Sequence, residues 1–281
     1  MSGRVLTSLC LVLFCLSSTG VLADKPTREE FIDYCRDYDK VYASKAKADR
    51  RFSLFTDVYE TVEAFNEAKE RPFLMGYNVY SDLTEEEYRR KALSGSVVYK
   101  ELADSLYENQ EPLSPRIKYS LSWRNELENN DAFRRIYVRH MEAYARSARL
   151  PDLQCLKSGD EEALRAILLD TPVISAIDAT NPTFRHYASG VFVEGDCDAS
   201  MGGLNHGVLI TGYGMDEELG EPYWEVKSFM DSSWGEGGYF KVARGSNVCG
   251  ITTAACFPRD DLKKKTAEKL QNGPDTFNPA M

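Results

Sequence analysis

Between Asn205 and Gly245 the chain runs NHGVLITGYGMDEELGEPYWEVKSFMDSSWGEGGYFKVARG. Apolar, β-branched and aromatic runs at Val208–Tyr213, Tyr223–Lys227 and Tyr239–Val242 are separated by glycine-rich turns. That pattern predicts consecutive strands joined by tight connections rather than helices. VISAIDA (Val173–Ala179) is a fourth strand candidate, followed by FRHYASGVF. The succession predicts an antiparallel sheet or barrel in the C-terminal half. His206 stands at the mouth of the first run, where a strand would hold an imidazole rigidly.

The N-terminal third has a different period. Thr27 with Glu30, and Thr84 with Glu87, form capping boxes that start helices; Ser158 with Glu161 makes a third. Phe31, Tyr34, Cys35, Tyr38 and Val41/Tyr42 recur at helical spacing. So do Phe52, Phe55, Val58/Tyr59, Val62 and Phe65 in a second helix. Two amphipathic helices in succession bury their stripes on each other or on a partner. Gly76–Arg90 reads as an extended segment and then a helix. Asn129–Leu150 has a strongly helical, basic composition.

Residues 1–23 read as a secretory signal, with Arg4, an apolar run over Val5–Leu16 and a small-residue site ending at Ala23. Twelve apolar residues are too few to span a bilayer. Of seven cysteines, Cys10 and Cys15 would leave with the signal. Cys35, Cys155, Cys197, Cys249 and Cys256 remain, an odd number for an oxidising compartment. The formal charge of −10 disfavours nucleic acid and anionic membranes as partners. No His/Cys set has the spacing of a zinc site, and no cofactor is implied.

These motifs resemble the papain family of cysteine peptidases, in its cathepsin L-like zymogen form. The interrupted Glu-Arg-Phe-Asn-Ile-Asn signature of the family's inhibitory prodomain is met by Arg51, Phe55 and Asn66. Val62 stands for Ile, while Lys47 and Val58 break the pattern. The family's Gly-x-Asn-x-Phe-x-Asp motif is present as Gly76, Asn78, Tyr80 and Asp82. NHGVLITGYG and WGEGGYFKVARG resemble the histidine strand and the hairpin of the peptidase. The resemblance implies a disulfide between Cys197 and Cys249. It also implies that His206 is the general base, and that Ser228 occupies the place of the ring-orienting Asn. Phe229 and Met230 occupy those of the following Ser and Trp. SPRIKYSLSWR (Ser114–Arg124) resembles the start of the mature enzyme, with Ser122 for the usual Asp.

The nucleophile is missing. Family spacing places the cysteine roughly 130–150 residues before the histidine. Here that window is 56–76, inside the prodomain-like region, and it contains no cysteine. Cys155 precedes His206 by 51 residues and Cys35 by 171. Neither has the flanking Gly-Ser-Cys-Trp, nor a Gln six residues earlier. Cys155 reads instead as a free or paired structural thiol. Counted from Trp123, the nucleophile would fall near Met141, an interval short by roughly 65–85 residues.

The expected fold class is therefore α+β, a helical inhibitory prodomain followed by a truncated papain-like domain retaining mainly its antiparallel β-barrel half. The expected divisions are signal 1–23, prodomain 24–95, linker 96–119, incomplete peptidase domain 120–258 and polar tail 259–281. The expected function is that of a peptidase homologue lacking activity. The alternative is a prodomain-type inhibitor or binding partner of related cysteine peptidases. Expected partners are polypeptide substrates or such peptidases, with no nucleic acid and no membrane after signal removal. The expected location is secreted, or lysosomal/vacuolar by the secretory route.

Overall fold

A computed structural model describes residues 25–68, 71–93, 120–130, 135 and 153–258. The leader, the 96–119 linker, the tail and most of the helix expected over 129–150, including the Met141 position, lie outside these residues.

Helix α1 (Arg28–Asp37) starts at the Thr27 box, where the Glu30 amide donates to Thr27 Oγ1 and the Thr27 amide donates to Glu30 Oε2. The helix is shorter than its periodicity suggests. Asp39 takes a left-handed conformation (φ 50°) just past Tyr38 and ends it, so Val41 is 93% exposed rather than part of the stripe. Helix α2 (Lys45–Glu67) packs Phe52, Phe55 and Tyr59 against Phe31 and Tyr34 of α1. The Asn66 side chain then holds strand β1 (Phe73–Met75) by donating to the Met75 carbonyl at 2.8 Å and accepting its amide at 2.9 Å.

Gly76–Thr84 is a loop of turns rather than an extended segment. Buried Asp82 is its hub, accepting from Tyr34 Oη (3.0 Å), Lys40 Nζ (2.7 Å) and Tyr42 Oη (2.9 Å). Helix α3 (Glu85–Ala92) follows the Thr84 box. Arg51 crosses from α2 to grip Glu87 with both terminal guanidinium nitrogens, Nη1 and Nη2, at 2.6 and 2.7 Å, and Nη1 also donates to the Asp82 carbonyl. That fork and the Thr84 amide hold the Glu87 carboxyl far below the usual range. Bidentate charged pairs are among the stronger surface-proximal interactions. Arg51→Ala is expected to lower the stability of the chain by about 2 kcal/mol, after allowance for partial exposure. Urea unfolding measures it, and a loss within roughly 0.5 kcal/mol of zero would mean that the fork is worth no more than an ordinary exposed pair.

The second half begins with β2 (Leu121–Ser122) and α4 (Arg124–Asn129), then β3 (Leu153–Cys155) and α5 (Glu161–Leu168). The cap of α5 is Asp160, whose carboxylate accepts the Ala163 amide, rather than Ser158. Gly159 at φ 78° turns the chain between the two. Strand β4 (Val173–Ile177), the short helix α6 (Pro182–Arg185), β5 (Tyr187–Phe192), β6 (His206–Met215), β7 (Pro222–Ser228), β8 (Tyr239–Ala243) and β9 (Cys256–Pro258) complete it.

One sheet runs in the order β1-β5-β8-β7-β6-β4-β9-β3, with β2 paired to β6. It is antiparallel except at one place. Val191 and Phe192 of β5 run parallel to Lys241 and Val242 of β8, because the 193–205 connection carries the chain across the sheet before it resumes at β6. The expected antiparallel sheet thus carries one parallel pairing, between β5 and β8. Both faces of the central strands are buried, so β6 reads as a near-continuous apolar run. Val208 and Ile210 enter the larger core with Trp224, Val226 and Phe240, while Leu209 enters a smaller one with Leu153 and Ile174.

The larger core also contains Phe73, Met75, Tyr80, Leu83 and Tyr88 from the N-terminal third. The two halves thus share apolar packing and a sheet. Gly190 permits the approach of β1: it sits at φ 88°, and a Cβ there would meet the Pro72 carbonyl oxygen at 2.5 Å. The Val191 amide donates to that same oxygen at 2.7 Å.

Candidate functional site

His206 opens β6, fixed on one side by its pairing with Ile177 of β4. On the other side Val208 lies opposite Ser228, the last residue of β7. This register brings His206 Nε2 within 3.0 Å of Ser228 Oγ, with both residues buried. The Ser228 oxygen also accepts the Met230 amide at 3.3 Å, and the Ser228 amide donates to the Gly238 carbonyl at 2.8 Å. The hydroxyl is therefore held where it can orient the ring. Met230 is buried beside it, whereas Phe229 turns outward and is 43% exposed.

The other ring nitrogen, Nδ1, is buried and makes no hydrogen bond of good geometry among the described residues. Burial pushes the His206 pKa down to about 4. The Ala92 carbonyl at the end of α3 opposes this shift from outside hydrogen-bond geometry. The ring is thus neutral at pH 7, with one nitrogen steered by a hydroxyl and the other bare.

No thiol meets that bare nitrogen among the described residues. Cys197 and Cys249 are joined, as are Cys155 and Cys256. Cys35 is the free thiol among them, half-buried on α1 with its sulfur 3.9 Å from Tyr42 Oη. Burial raises its pKa, which disfavours the thiolate.

The remaining motif residues lie elsewhere. Arg51, Phe55, Asn66 and Asp82 serve the N-terminal helices, while Gly76, Asn78 and Tyr80 face the sheet. The Gly76 amide donates to the His186 carbonyl at 2.8 Å, Asn78 Nδ2 to the Arg185 carbonyl at 3.0 Å, and the Asp231 amide to Tyr80 Oη at 3.1 Å. Sequence reasoning missed Arg185 and His186, both buried against this loop. Two basic residues inside the apolar run FRHYASGVF were the available signal.

Residues 125–259 match the family described as papain family cysteine protease, and residues 31–88 match the cathepsin propeptide inhibitor domain. The chain belongs to the papain family. Its helical N-terminal third, which also lends strand β1 to the sheet, is the prodomain, and the rest of the sheet is the peptidase-domain portion. A cathepsin L-like peptidase of Aedes aegypti is 47% identical over 105 residues, which cover 37% of this chain and 30% of that one. Cathepsin L of Sarcophaga peregrina is 46% identical over the same shares. The matched stretch thus spans less than a third of these papain-family relatives. Fruit bromelain of Ananas comosus is 25% identical across 83% of this chain and 86% of its own. A solved digestive procathepsin L 3 from Tenebrio molitor larval midgut superposes with a TM-score of 0.64 at 24% identity, covering 82% of this chain and 98% of that one.

Proposed function

We propose that this chain is a papain-type peptidase homologue that does not cut peptide bonds. The observation that carries the reading is His206: its Nε2 is held by Ser228, while its Nδ1 is buried and unpaired. In a papain-type mechanism the imidazole shares a proton with a thiolate and later protonates the leaving amine. Among the described residues no free cysteine stands beside the ring, and Ser228 replaces the longer Asn that fixes it in the family.

The same reading makes polypeptides the ligand class, with the prodomain lying against the His206 side through Ala92. A secreted or lysosomal/vacuolar route fits the leader and the two disulfides. Among the described residues, no helix is long and apolar enough to cross a membrane. The inhibitor alternative, in which the prodomain occupies the clefts of related cysteine peptidases, is supported by its intact network around Arg51 and Asp82. Against it stands the engagement of that prodomain with its own sheet.

Labelling of the secreted chain with a thiol-directed epoxide tests the reading. No stoichiometric adduct is expected, and none that depends on His206. One cysteine labelled to completion, and protected by His206→Ala, would overturn it. Nanomolar inhibition of a related peptidase by the full chain would instead favour the inhibitor role.

A further inference from the structure

Arg185 is 7% exposed, at the end of α6 in the middle of the contact between sheet and prodomain. Its Nη2 donates to two prodomain carbonyls, Tyr80 and, at 2.7 Å, Leu83. Its guanidinium lies 4.8 Å from the centre of the Tyr88 ring, and Nη1 is 3.7 Å from Glu85. The Arg185 carbonyl receives Asn78 of the prodomain and Trp234 of the sheet domain. Arg185 Nε has no hydrogen-bond partner among the described residues. The cation is therefore satisfied almost wholly by what the prodomain brings.

This arrangement has an asymmetric energy. With the prodomain absent, the guanidinium can be hydrated at little cost. With an occupant that covers it but supplies neither two carbonyls nor an aromatic face, it becomes a buried, uncompensated charge, which is strongly destabilising. An apolar residue at this position would accept many occupants of the right shape, whereas an arginine penalises the wrong ones.

We propose that Arg185 is a recognition latch, making the docking groove of this sheet selective for the chain's own prodomain. The partner is defined by its chemistry: a turn presenting the Tyr80 and Leu83 carbonyls, followed by a helix presenting the Tyr88 ring and the Glu85 carboxylate. The proposal holds whether or not the chain cuts peptide bonds.

The test uses the full chain with a site-specific protease sequence placed in the 96–119 linker and cleaved after folding. Dissociation of the labelled prodomain is then followed for wild type, Arg185→Met, Tyr88→Leu and the double variant. Losing two charge-assisted hydrogen bonds and a stacked ring is expected to weaken retention about 30- to 100-fold in Arg185→Met, and losing the ring alone about 5- to 30-fold in Tyr88→Leu. The double variant is expected to fall short of the product of the two by at least about fivefold, as coupled neighbours do. In exchange experiments the Tyr88→Leu prodomain should lose to the wild-type prodomain on the wild-type sheet. On a sheet carrying Arg185→Met it should draw level. Arg185→Lys keeps the charge but not the fork; it is expected to fall between wild type and Arg185→Met, and serves if the latter does not fold. Retention within about threefold of wild type in the Arg185 variants, or strictly multiplicative losses, would overturn the proposal.

Discussion

Moved from pH 7.5 to pH 5, the folded chain is expected to lose about 4 kcal/mol of stability. Two buried histidines are the cause. Burial, aided by the neighbouring Arg185 charge, pushes the His186 pKa down to about 3. Burial pushes that of His206 down to about 4. Once unfolded, both rings regain the ordinary value of 6.5. Above that value neither state holds the protons and the stability is whole. Below it the unfolded chain binds protons that the folded chain refuses, so stability falls with decreasing pH. The fall continues until the folded rings titrate, near 4 and near 3. The slope approaches about 2.7 kcal/mol per pH unit when both rings contribute. Asp178 and Glu87, whose carboxyls are held low by hydrogen bonds and by Arg51 respectively, act in the same direction only at lower pH. Urea midpoints at pH 7.5, 6 and 5 measure the effect, and His186→Gln and His206→Gln should each remove about half of the slope. Equal stability at pH 7.5 and pH 5 would refute it.

The second large effect concerns Cys155–Cys256. These residues face each other across β3 and β9, and their bridge closes 101 residues of sequence around the 52 closed by Cys197–Cys249. Because the inner bridge already shortens the loop, chain entropy assigns the outer one about 4 kcal/mol. Both sulfurs lie in the smaller core, with Leu153 and Ile174 as neighbours. Replacement of both cysteines by alanine is therefore expected to lower the urea midpoint sharply and leave the His206–Ser228 register unchanged. A loss below about 1 kcal/mol would mean that the unfolded chain is already compact around β3 and β9, through residual structure in the denatured state.

The parts legible in the sequence were those governed by local rules. Thr27 and Thr84 announce their helices because a cap needs only one hydroxyl and one carboxylate three residues on. Strands β6 to β8 announce themselves through β-branched runs ended by glycines, and His206 falls at the strand mouth for the same reason. Non-local features stayed hidden. Nothing near Cys155 indicates Cys256, since pairing is decided by which strands become neighbours. The parallel β5–β8 contact depends on a crossover that leaves no periodicity of its own. Arg185 and His186 looked like ordinary polar interruptions, because the carbonyls and ring that satisfy Arg185 lie about a hundred residues earlier. The cap of α5 was misplaced by two residues, Gly159 having turned the chain between Ser158 and Asp160.

Gly190 has a consequence of another kind. By letting β1 pair with β5, it assigns the protection of one sheet margin to a segment made more than a hundred residues earlier. Without that segment, β5 would present open amides and carbonyls flanked by Tyr187, Val191 and Phe192, the sort of margin that recruits strands from other molecules. The prodomain is thus also the solubility guard of the sheet it covers. A fragment lacking it would carry its own nucleus for self-association.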